Sequence, residues 1–531
     1  MLSHLNSLIA ERNTAEQTDL LQRFAALYFS GAPQDELQQR DVADLYGATL
    51  SCWQFVQQRA GQAIKVRVFN PDYENHGWQS LHSVVEILCD DAPFLVDSVR
   101  MLLNTRQLSL HAIHYCVLQA QRDGQGKLDA GTAWDQPQPQ QAAAERTPEA
   151  IIYVEFDHHS DTDFLQQLSQ DIQTVLAEVQ ACVADFPAML ARLQQVQQQL
   201  EKPHSKERAS DYQQAADFLR WLGNNHFTFL ACDEFKLDTR GKELVIERVA
   251  GADLGLSRHY PASRQMITLA ELDSEVQAFI TSPQLISFVK SGSRSRVHRP
   301  AYPDYVVIKF FDAKGMVTGG VRFLGLYTSM VYIETPNSVP LLKEKLQAVR
   351  EMAAFSAGSH SAKELDRILE VYPRDELFQS TAEQLLKTAV SILHIQERRQ
   401  TRVFLRKDAY SKFLSCLLYV PRDIYNTELR CKIEQVLMQE VPTLDIEFNT
   451  YFSESILART HFMLRLDPQQ PLEYDEQRLI QKVLQVARSW QDELQTTLIE
   501  QVGEELGNHQ FHLYSSAFPA GYREAFSVRT A

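Results

Sequence analysis

The same order of predicted elements occurs in two distant parts of this chain. The apolar strand HSVVEILC, residues 82–89, leads into a helix in which Leu95, Val99 and Leu102 share one face. Two strands and a second amphipathic helix follow, which makes the order β-α-β-β-α. The strand FLSCLLYV, residues 413–420, begins the same order again. We predict two copies of one small α+β unit, in the split β-α-β arrangement of the ferredoxin-like kind.

The other segments place these two units in an α+β multidomain chain. Between them lies an antiparallel β-rich region with strands such as DYVVIKFF. The predicted domains are a helical lead-in (1–62), a first β-α-β-β-α unit (63–184), a helical linker (185–225), a β-rich central domain (226–338), a helical connector (339–404), a second β-α-β-β-α unit (405–490) and a helical extension (491–531).

Two further segments carry specific predictions. The Gln-, Pro- and Ala-rich insert at residues 124–150 is typical of a long flexible hairpin loop. In ILARTHFMLRL, the last strand of the second unit, apolar residues alternate with a more polar set. This period of two predicts one buried face and one largely solvated face.

Composition limits the class of protein. The chain has 531 residues, 44% of them hydrophobic, which suffices for roughly three or four domains with buried cores. The 52 Lys and Arg residues against 68 Asp and Glu residues give a net charge of -16. This charge repels phosphate groups and argues against nucleic acid or an anionic membrane as the main partner.

Cysteine usage and hydropathy indicate the cellular compartment. The seven cysteines are widely spaced, odd in number and without a C-x-x-C pair, as in a reduced cytosolic protein. The first residues lack the pattern of an export signal, and no window approaches ~18 uncharged apolar residues. We expect a soluble cytoplasmic protein.

The sequence DDAPF, residues 90–94, forms the turn where the first strand meets its helix. Asp91 can accept hydrogen bonds from the first free amides of that helix, and Pro93 suits the first helical position. The exposed amides of a helix N-terminus also suit a carboxylate, while Asp90 or Asp91 can bind an ammonium group. The turn is therefore either a helix cap or a ligand site.

A basic cluster lies in KSGSRSRVHRP, residues 290–300. It contains five potential cations, Lys290, Arg294, Arg296, His298 and Arg299, in an otherwise acidic protein. Such a loop can bind a phosphate or carboxylate, or it can form salt bridges to an acidic neighbouring domain. We favour the interdomain role. A catalytic role for this cluster in the central domain is a weaker alternative.

Other polar clusters indicate structural roles. His111 and His114 lie three residues apart on a predicted strand and point to opposite faces, which disfavours a shared metal ion. His158 and His159 begin a turn and are interpreted as a solvated loop or cap. YPRDELFQ, residues 372–379, is interpreted as a helix entry that packs between domains.

Motifs of nucleotide sites and catalytic sites are missing from the sequence. No G-x-G-x-x-G follows a strand, and no phosphate loop, H-E-x-x-H or G-x-S-x-G occurs. We therefore predict no catalytic residues, no metal site and no cofactor in this chain, and no dinucleotide-binding domain.

The turn at residues 90–94 resembles a known module. A strand that ends in Asp-x-Pro at a helix start, inside β-α-β-β-α, is similar to the ACT domain, a regulatory module that often binds amino acids at this loop. The resemblance implies an effector site at Asp90, Asp91, Pro93 and Phe94. In that family a glycine usually follows the proline, whereas here Phe94 follows it. The second unit departs further, with PRD at residues 421–423.

A broader resemblance covers nearly the whole chain. The segments HGWQSLHSVVEI, DDAPFLVDSV, KSGSRSRVHRPAYPDYVVIKFFDAKG, RFLGLYTS, YPRDELFQ and YVPRDIYNTELR together resemble the amino-terminal part of the large bacterial NAD-specific glutamate dehydrogenases. The resemblance implies a parent enzyme that uses NAD to convert L-glutamate to 2-oxoglutarate and ammonium. It also implies that the dehydrogenase domain lies beyond residue 531 and that both β-α-β-β-α units are ACT-like.

Two functional hypotheses follow. In the first, the chain is the regulatory and oligomerisation region of such an enzyme, in amino-acid catabolism. Its partners are then the rest of the dehydrogenase, an amino-acid effector and other copies in a homo-oligomer. In the alternative, it is a stand-alone amino-acid-binding or scaffolding protein without enzymatic activity. The end at FPAGYREAFSVRTA, directly after a turn signal, favours a fragment of a longer product.

Overall fold

Three antiparallel sheets organise the computed structural model. It describes residues 1–530 apart from 60, 62, 130–146, 203–207, 241–242, 261–265, 396–397, 454 and 471–473. Within these residues the first and third sheets along the chain have four strands each, and the second sheet has seven. Most of the hairpin loop predicted at 124–150 falls outside the described residues. The architecture is a mixed α/β chain of several sheets and about 20 helices.

Four helices precede the first sheet and pack against it. They are α1 (Leu2–Arg12), α2 (Ala15–Tyr28), α3 (Gln34–Gln38) and α4 (Val42–Gln57). Their apolar side chains, Phe24 and Trp53 among them, share one core with residues of the sheet. The predicted helical lead-in is thus a cover for one face of the first sheet.

The first unit follows the predicted order and adds one strand at its start. Its elements are β1 (Ile64–Phe69), α5 (Tyr73–His76), β2 (Ser83–Asp90), α6 (Leu95–Thr105), β3 (Leu110–Ala120), β4 (Thr147–Phe156) and α7 (Thr162–Leu200). The strand order in the sheet is β1-β2-β4-β3. β1 lies at the edge beside β2, antiparallel to it.

Burial on both faces explains why β2 is apolar at almost every position. Val84 and Leu88 point into the core made with α1–α4. Val85 and Ile87 point into the core made with α6 and α7. Since successive side chains of a strand face opposite sides, a sheet covered on both sides needs apolar residues at consecutive positions.

The helix α7 joins the first unit to the central domain. Its 39 residues pack first in the core of the first sheet, through Leu168 and Ile172, and then with the central sheet, through Leu193 and Val196. The predicted domain boundary at 184/185 falls inside this helix. By length and composition it is the one helix in the described part of the chain that could cross a membrane. Most of its buried apolar residues lie in these two cores, whereas Phe186 is exposed.

The central domain is built on the seven-stranded sheet. Its elements are α8 (Ala209–Trp221), β5 (Phe227–Arg240), β6 (Glu243–Arg248), β7 (Leu254–Gly255), α9 (Leu256–His259), β8 (Met266–Thr268), α10 (Ser274–Thr281), β9 (Ile286–Lys290), β10 (Asp304–Phe311) and β11 (Val317–Tyr327). The strand order is β8-β6-β5-β11-β10-β9, and β7 pairs with β5. β9 is therefore at one edge, and the basic cluster begins at its last residue, Lys290.

Helices and the second unit complete the chain. The helices α11 (Ser329–Ile333), α12 (Leu342–Ala353), α13 (His360–Glu370), α14 (Arg374–Gln379) and α15 (Ala382–Ile395) precede it. The unit comprises β12 (Arg402–Lys407), β13 (Phe413–Pro421), α16 (Thr427–Glu440), β14 (Thr443–Phe452), β15 (Leu457–Leu466) and α17 (Glu476–Val486). Its strand order, β12-β13-β15-β14, matches that of the first unit. The last helices are α18 (Trp490–Val502), α19 (Glu504–Tyr514) and α20 (Ala520–Ala525).

The prediction of a solvated face on β15 is wrong. On the face expected to be exposed, Leu457 and Met463 are buried, and Arg459, His461 and Arg465 are half-buried. The cause is tertiary: this face packs against the central domain, where Arg465 donates a hydrogen bond to the Gly292 carbonyl at 2.8 Å. The second sheet thus has both faces covered in its β15 region.

Candidate functional site

The turn between β2 and α6 does not have the predicted capping geometry. The helix begins at Leu95, the N-cap residue is Phe94, and no side chain caps it. The carboxylate of Asp91 instead accepts a hydrogen bond from the Tyr115 hydroxyl. Asp90 accepts a hydrogen bond from Arg59 at 2.7 Å. The interpretation of Asp91 as a cap, with Pro93 as the first helical residue, is therefore wrong.

Phe94 takes the position and the conformation of a glycine. Its φ of 73° is in the left-handed region, which favours residues without a Cβ. Its ring lies 4.5 Å, centroid to centroid, from the ring of His298. The His298 amide also donates to the Ser98 hydroxyl on α6 at 3.2 Å. The space beside the turn is thus occupied by Phe94 and by a residue of the basic cluster.

We call residues 291–303, which connect β9 to β10, the bridge loop. Towards the first unit, its Arg296 forms an ion pair with Glu178 of α7, with Nε and Oε2 3.2 Å apart. The Tyr260 hydroxyl also donates to Glu178. Glu178 is 2% exposed, so this ion pair holds a carboxylate that burial would otherwise disfavour.

Towards the second unit, the bridge loop contacts the edge strand β14. Arg294 lies 2.6 Å from the Asp445 carboxylate and 2.7 Å from that of Glu447. The Tyr302 hydroxyl donates to Asp445 at 2.6 Å. Arg294 also stacks over the Tyr302 ring, with 5.0 Å from guanidinium carbon to centroid. The bridge loop therefore contacts both four-stranded units through charged side chains.

Lys290, the last residue of β9, is buried between two carboxylates. Its ammonium lies 3.1 Å from Asp304 of β10 and 2.9 Å from Asp375 of α14. Burial raises the pKa of Asp304, although the nearby Lys290 charge acts in the opposite direction. This ion triad joins the central sheet to the YPRDELFQ segment.

Three consecutive residues of YPRDELFQ have three different structural partners. Arg374 donates to backbone carbonyls, including those of Glu370 at 2.9 Å and Glu334 at 2.8 Å. Asp375 pairs with Lys290, as described above. Glu376 accepts two hydrogen bonds of 2.7 Å from Arg406 of β12, in a fork-to-fork geometry. The segment thus lies between the central domain and the second unit.

An interdomain cavity of about 970 Å³ lies where these elements meet. One wall comes from the central domain and bridge loop, with Lys290 and Arg299; the opposite wall comes from β14 and β15, with Glu447 and Arg459. The link from α13 to α14 closes a third side. Of the five predicted basic residues, Lys290, Arg294 and Arg299 line the cavity. Arg296 and His298 face the first unit instead.

The histidine pairs have local structural roles. His111 is exposed and lies 2.9 Å from Asp157, whereas His114 is buried and stacks on Tyr153. The ring of His159 stacks on Phe164 at 3.9 Å. Within the described residues no group of three or more His, Cys, Asp or Glu side chains could hold a metal ion.

Sequence reasoning missed the partners on the second unit. Asp445 and Glu447 lie on β14, and Arg459 lies on β15. The sequence pattern predicts all three positions to be on the polar side of a strand. Arg294 and Asp445 are 151 residues apart in sequence. No local pattern connects them; complementary charge between the basic cluster and an acidic strand was the one available signal.

Comparison with known protein families gives matches along most of the chain. The glutamate dehydrogenase ACT1 domain matches residues 24–172, and the ACT2 domain matches 402–491. Helical motif 1 of glutamate dehydrogenase matches residues 339–398, and helical motif 2 matches 497–531. The two ACT matches contain the two four-stranded sheets.

Three curated relatives of this chain carry the same name. An NAD-specific glutamate dehydrogenase of Halomonas elongata is 43% identical over 535 residues, covering 100% of this chain and 33% of the relative. One of Pseudomonas aeruginosa is 43% identical, covering 96% of this chain and 31% of the relative. One of Mycobacterium tuberculosis is 26% identical, covering 84% of this chain and 27% of the relative.

Over its whole length the chain is similar to NAD-specific glutamate dehydrogenases. It spans about a third of the length of the first two relatives and carries the ACT1 and ACT2 domains and the two helical motifs of glutamate dehydrogenase. In sequence, the bridge loop therefore lies between the segments that match the ACT1 and ACT2 domains.

The cofactor implied by the family name does not fit the described residues. Every strand pairing among them is antiparallel. Dinucleotides bind at the carboxyl ends of parallel strands, next to a glycine-rich turn and a helix N-terminus. The described sheets lack such a crevice, so no residue of this part of the chain is assigned to NAD.

Proposed function

We propose that this chain is the regulatory and assembly region of an NAD-linked glutamate dehydrogenase. The parent enzyme would oxidatively deaminate L-glutamate to 2-oxoglutarate and ammonium, with NAD as the oxidant. The family matches and the 43% identity across the whole chain to much longer relatives support this function over a stand-alone binding protein. We place the enzyme in the cytoplasm, in keeping with seven cysteines that are all free thiols.

The observation that carries the proposal is the position of the bridge loop. A single loop of the central domain forms ion pairs with α7 of the ACT1 domain and with β14 of the ACT2 domain. A change in the position of either domain must therefore change the contacts of the other. Regulation requires two arrangements that a ligand contacts unequally, and the bridge loop provides the mechanical link between the domains.

The proposal also covers the strand arrangement of the two ACT domains and the partners of the chain. Both ACT domains adopt a ferredoxin-like arrangement. In each domain an additional strand precedes the β-α-β-β-α elements and lies at the edge of the sheet, next to the first strand of those elements. The partners are the rest of the dehydrogenase, an amino-acid effector and other copies of the chain in a homo-oligomer. The turn at Asp90, Asp91, Pro93 and Phe94 is a poor effector site, because Tyr115, Arg59 and His298 already contact its side chains.

The experiment that tests the proposal uses the parent enzyme. We expect removal of residues 1–531, or the double substitution Arg294→Gln with Arg296→Gln, to change the response of the steady-state rate to amino-acid effectors or the oligomeric state. Arg100→Gln is the control, because Arg100 forms an exposed pair with Asp97 on α6 and, within the described residues, no ion pair with another domain. A truncated enzyme that keeps its oligomeric state and all effector kinetics would contradict the proposed function.

A further inference from the structure

The interdomain cavity contains arginines whose charge is not balanced by an ion pair. Arg299 donates from Nη2 to the Tyr327 carbonyl at 2.7 Å, and Arg459 donates from Nη1 to the Val371 carbonyl. Among the residues that the structure describes, neither guanidinium lies in a salt bridge with a carboxylate. Backbone carbonyls are neutral acceptors, so no direct carboxylate contact neutralises either group, although the Arg299 charge also acts on the nearby Asp304.

A third guanidinium on the same cavity strengthens the positive field. Arg374 is 8% exposed, and its recorded hydrogen bonds go to carbonyls alone. Burial, and to a smaller extent the Arg459 charge, lower the pKa of Arg374. Burial also lowers the pKa of Arg459. An anion placed between such groups would favour the charged form of both.

The carboxylates that line the cavity are mostly held by other cations. Asp304 and Asp375 flank Lys290, and Glu447 pairs with Arg294. Glu370 is the remaining carboxylate of the lining and lies on the side of Arg374. Arg406 and Arg296, two nearby arginines outside the lining, have carboxylate partners. Arg465, which also lies outside the lining, donates to backbone carbonyls as Arg299 and Arg459 do.

We propose that the interdomain cavity binds a small molecule with two anionic groups, carboxylate or phosphate. Arg299 binds one group from the wall of the central domain, and Arg459 binds the other from the wall of the ACT2 domain. The guanidinium fork suits both kinds of oxyanion. The volume of about 970 Å³ is ample for a metabolite of this class.

Such a ligand would act on the arrangement of the domains. Because its two anionic groups contact different domains, it binds more tightly when the walls are close than when they are apart. Its binding free energy therefore favours the closed arrangement over any open one. This inference goes beyond the proposed function, since ligand binding is measured without reference to catalysis.

The test is calorimetric titration of the 531-residue chain with two dianions. Succinate represents dicarboxylates and inorganic pyrophosphate represents phosphates, while succinamide is the uncharged control of the same shape. We expect saturable binding of at least one dianion and none of succinamide. Binding of succinate alone assigns the site to dicarboxylates, and binding of pyrophosphate alone assigns it to phosphorylated ligands.

Variants on both walls locate the site. Arg459→Gln and Arg299→Gln should each weaken binding by ~30-fold or more, since each removes one partner of a desolvated charge pair. Arg422→Gln is the matched control: Arg422 also donates to a carbonyl, that of Ser453, and stacks over an aromatic ring, but it lies outside the cavity lining. Its affinity should equal that of the unmodified chain.

Two results would overturn the inference. One is the absence of binding of both dianions at millimolar concentrations. The other is unchanged affinity in both cavity variants, measured on samples whose circular dichroism matches that of the unmodified chain. If one variant fails to fold, the other still decides the question, because Arg299 and Arg459 come from different domains.

Discussion

At the scale of single residues, Phe94 shows a conflict between backbone and side chain. The backbone conformation, with φ of 73°, suits glycine, whereas the phenyl ring packs against His298. A residue with a Cβ in the left-handed region costs about 1–2 kcal/mol. The ring contact between the ACT1 domain and the bridge loop offsets this cost.

We predict that Phe94→Gly is more stable than Phe94→Ala by about 1 kcal/mol, because both lose the ring but only alanine keeps the strained Cβ. Thermal unfolding midpoints of the two variants provide the measurement. The control pair is Phe164→Gly and Phe164→Ala in the first turn of α7, where alanine should be the more stable residue. An Ala variant at position 94 that equals or exceeds the Gly variant would refute the strain argument.

The buried environment of Glu376 leads to a second prediction at the residue scale. It is 4% exposed, and Arg406 binds both of its carboxylate oxygens. Burial alone would raise the pKa of Glu376, but the charge and hydrogen bonds of Arg406 outweigh burial and hold the pKa well below its usual value of 4.5. A depressed carboxyl pKa stabilises the fold above the unfolded pKa and loses that contribution at lower pH.

We therefore predict that Glu376→Gln destabilises the chain by about 3 kcal/mol at pH 7, because Arg406 is left without its carboxylate partner and keeps only the neutral Gln379 acceptor. Below pH 4.5 the difference between the two proteins should shrink, since the unmodified Glu376 then loses its advantage. Urea midpoints across a pH series measure this difference. Glu344→Gln, at an exposed position on α12, serves as control. A gap that stays constant down to acidic pH would contradict the assignment.

At the scale of elements, the short helix α14 depends on a lysine from another helix. Lys345 of α12 donates hydrogen bonds to the carbonyls of Leu377, Phe378 and Ser380 at 2.8–2.9 Å. These carbonyls lie at the C-terminal end of α14, where backbone acceptors lack partners within the helix. The position of Asp375 and Glu376 therefore depends on α12.

We predict that Lys345→Met lowers stability by about 2 kcal/mol or more, because three carbonyls lose a charged donor. Hydrogen exchange of the α14 amides should accelerate in the same variant. Lys343→Met is the matched control, since Lys343 is exposed on the same helix. Equal exchange rates in both variants would show that α14 is held by packing alone.

At the scale of the whole molecule, stability is distributed unevenly. The helix α7 has buried residues in two cores and connects the ACT1 domain to the central domain. By contrast, Leu494 and Gly507 are the buried residues recorded for α18 and α19. Regions with little buried surface open at lower free energy than the core of a protein.

We predict that amides of α18 and α19 exchange with solvent faster than those of α17 in the 531-residue chain. The helix α17 is the matched reference because it is next in sequence and buries Leu479 and Val483 in the ACT2 core. Hydrogen exchange with mass spectrometry measures both. Similar protection of the three helices would show that α18 and α19 belong to the same cooperative unit as α17.

The sequence by itself determined the local elements. The spacing of Leu95, Val99, Leu102 and Leu103 predicts one apolar face of α6. The structure buries Leu95, Val99 and Leu103 and half-buries Leu102. The repeated β-α-β-β-α order likewise corresponds to two sheets of identical strand order. Such patterns are readable because helix and strand periods act between residues close in the chain.

Only the tertiary structure decided which groups those elements meet. The Asp91 carboxylate, which local rules assign to a helix cap, binds Tyr115 of β3. Arg459 lies on a face of β15 that alternation predicts to be solvated, but it is half-buried and donates to the Val371 carbonyl in the link between α13 and α14. The physical reason is that periodicity specifies the apolar face of an element, whereas charge pairs and cavities depend on segments brought together from far apart in sequence.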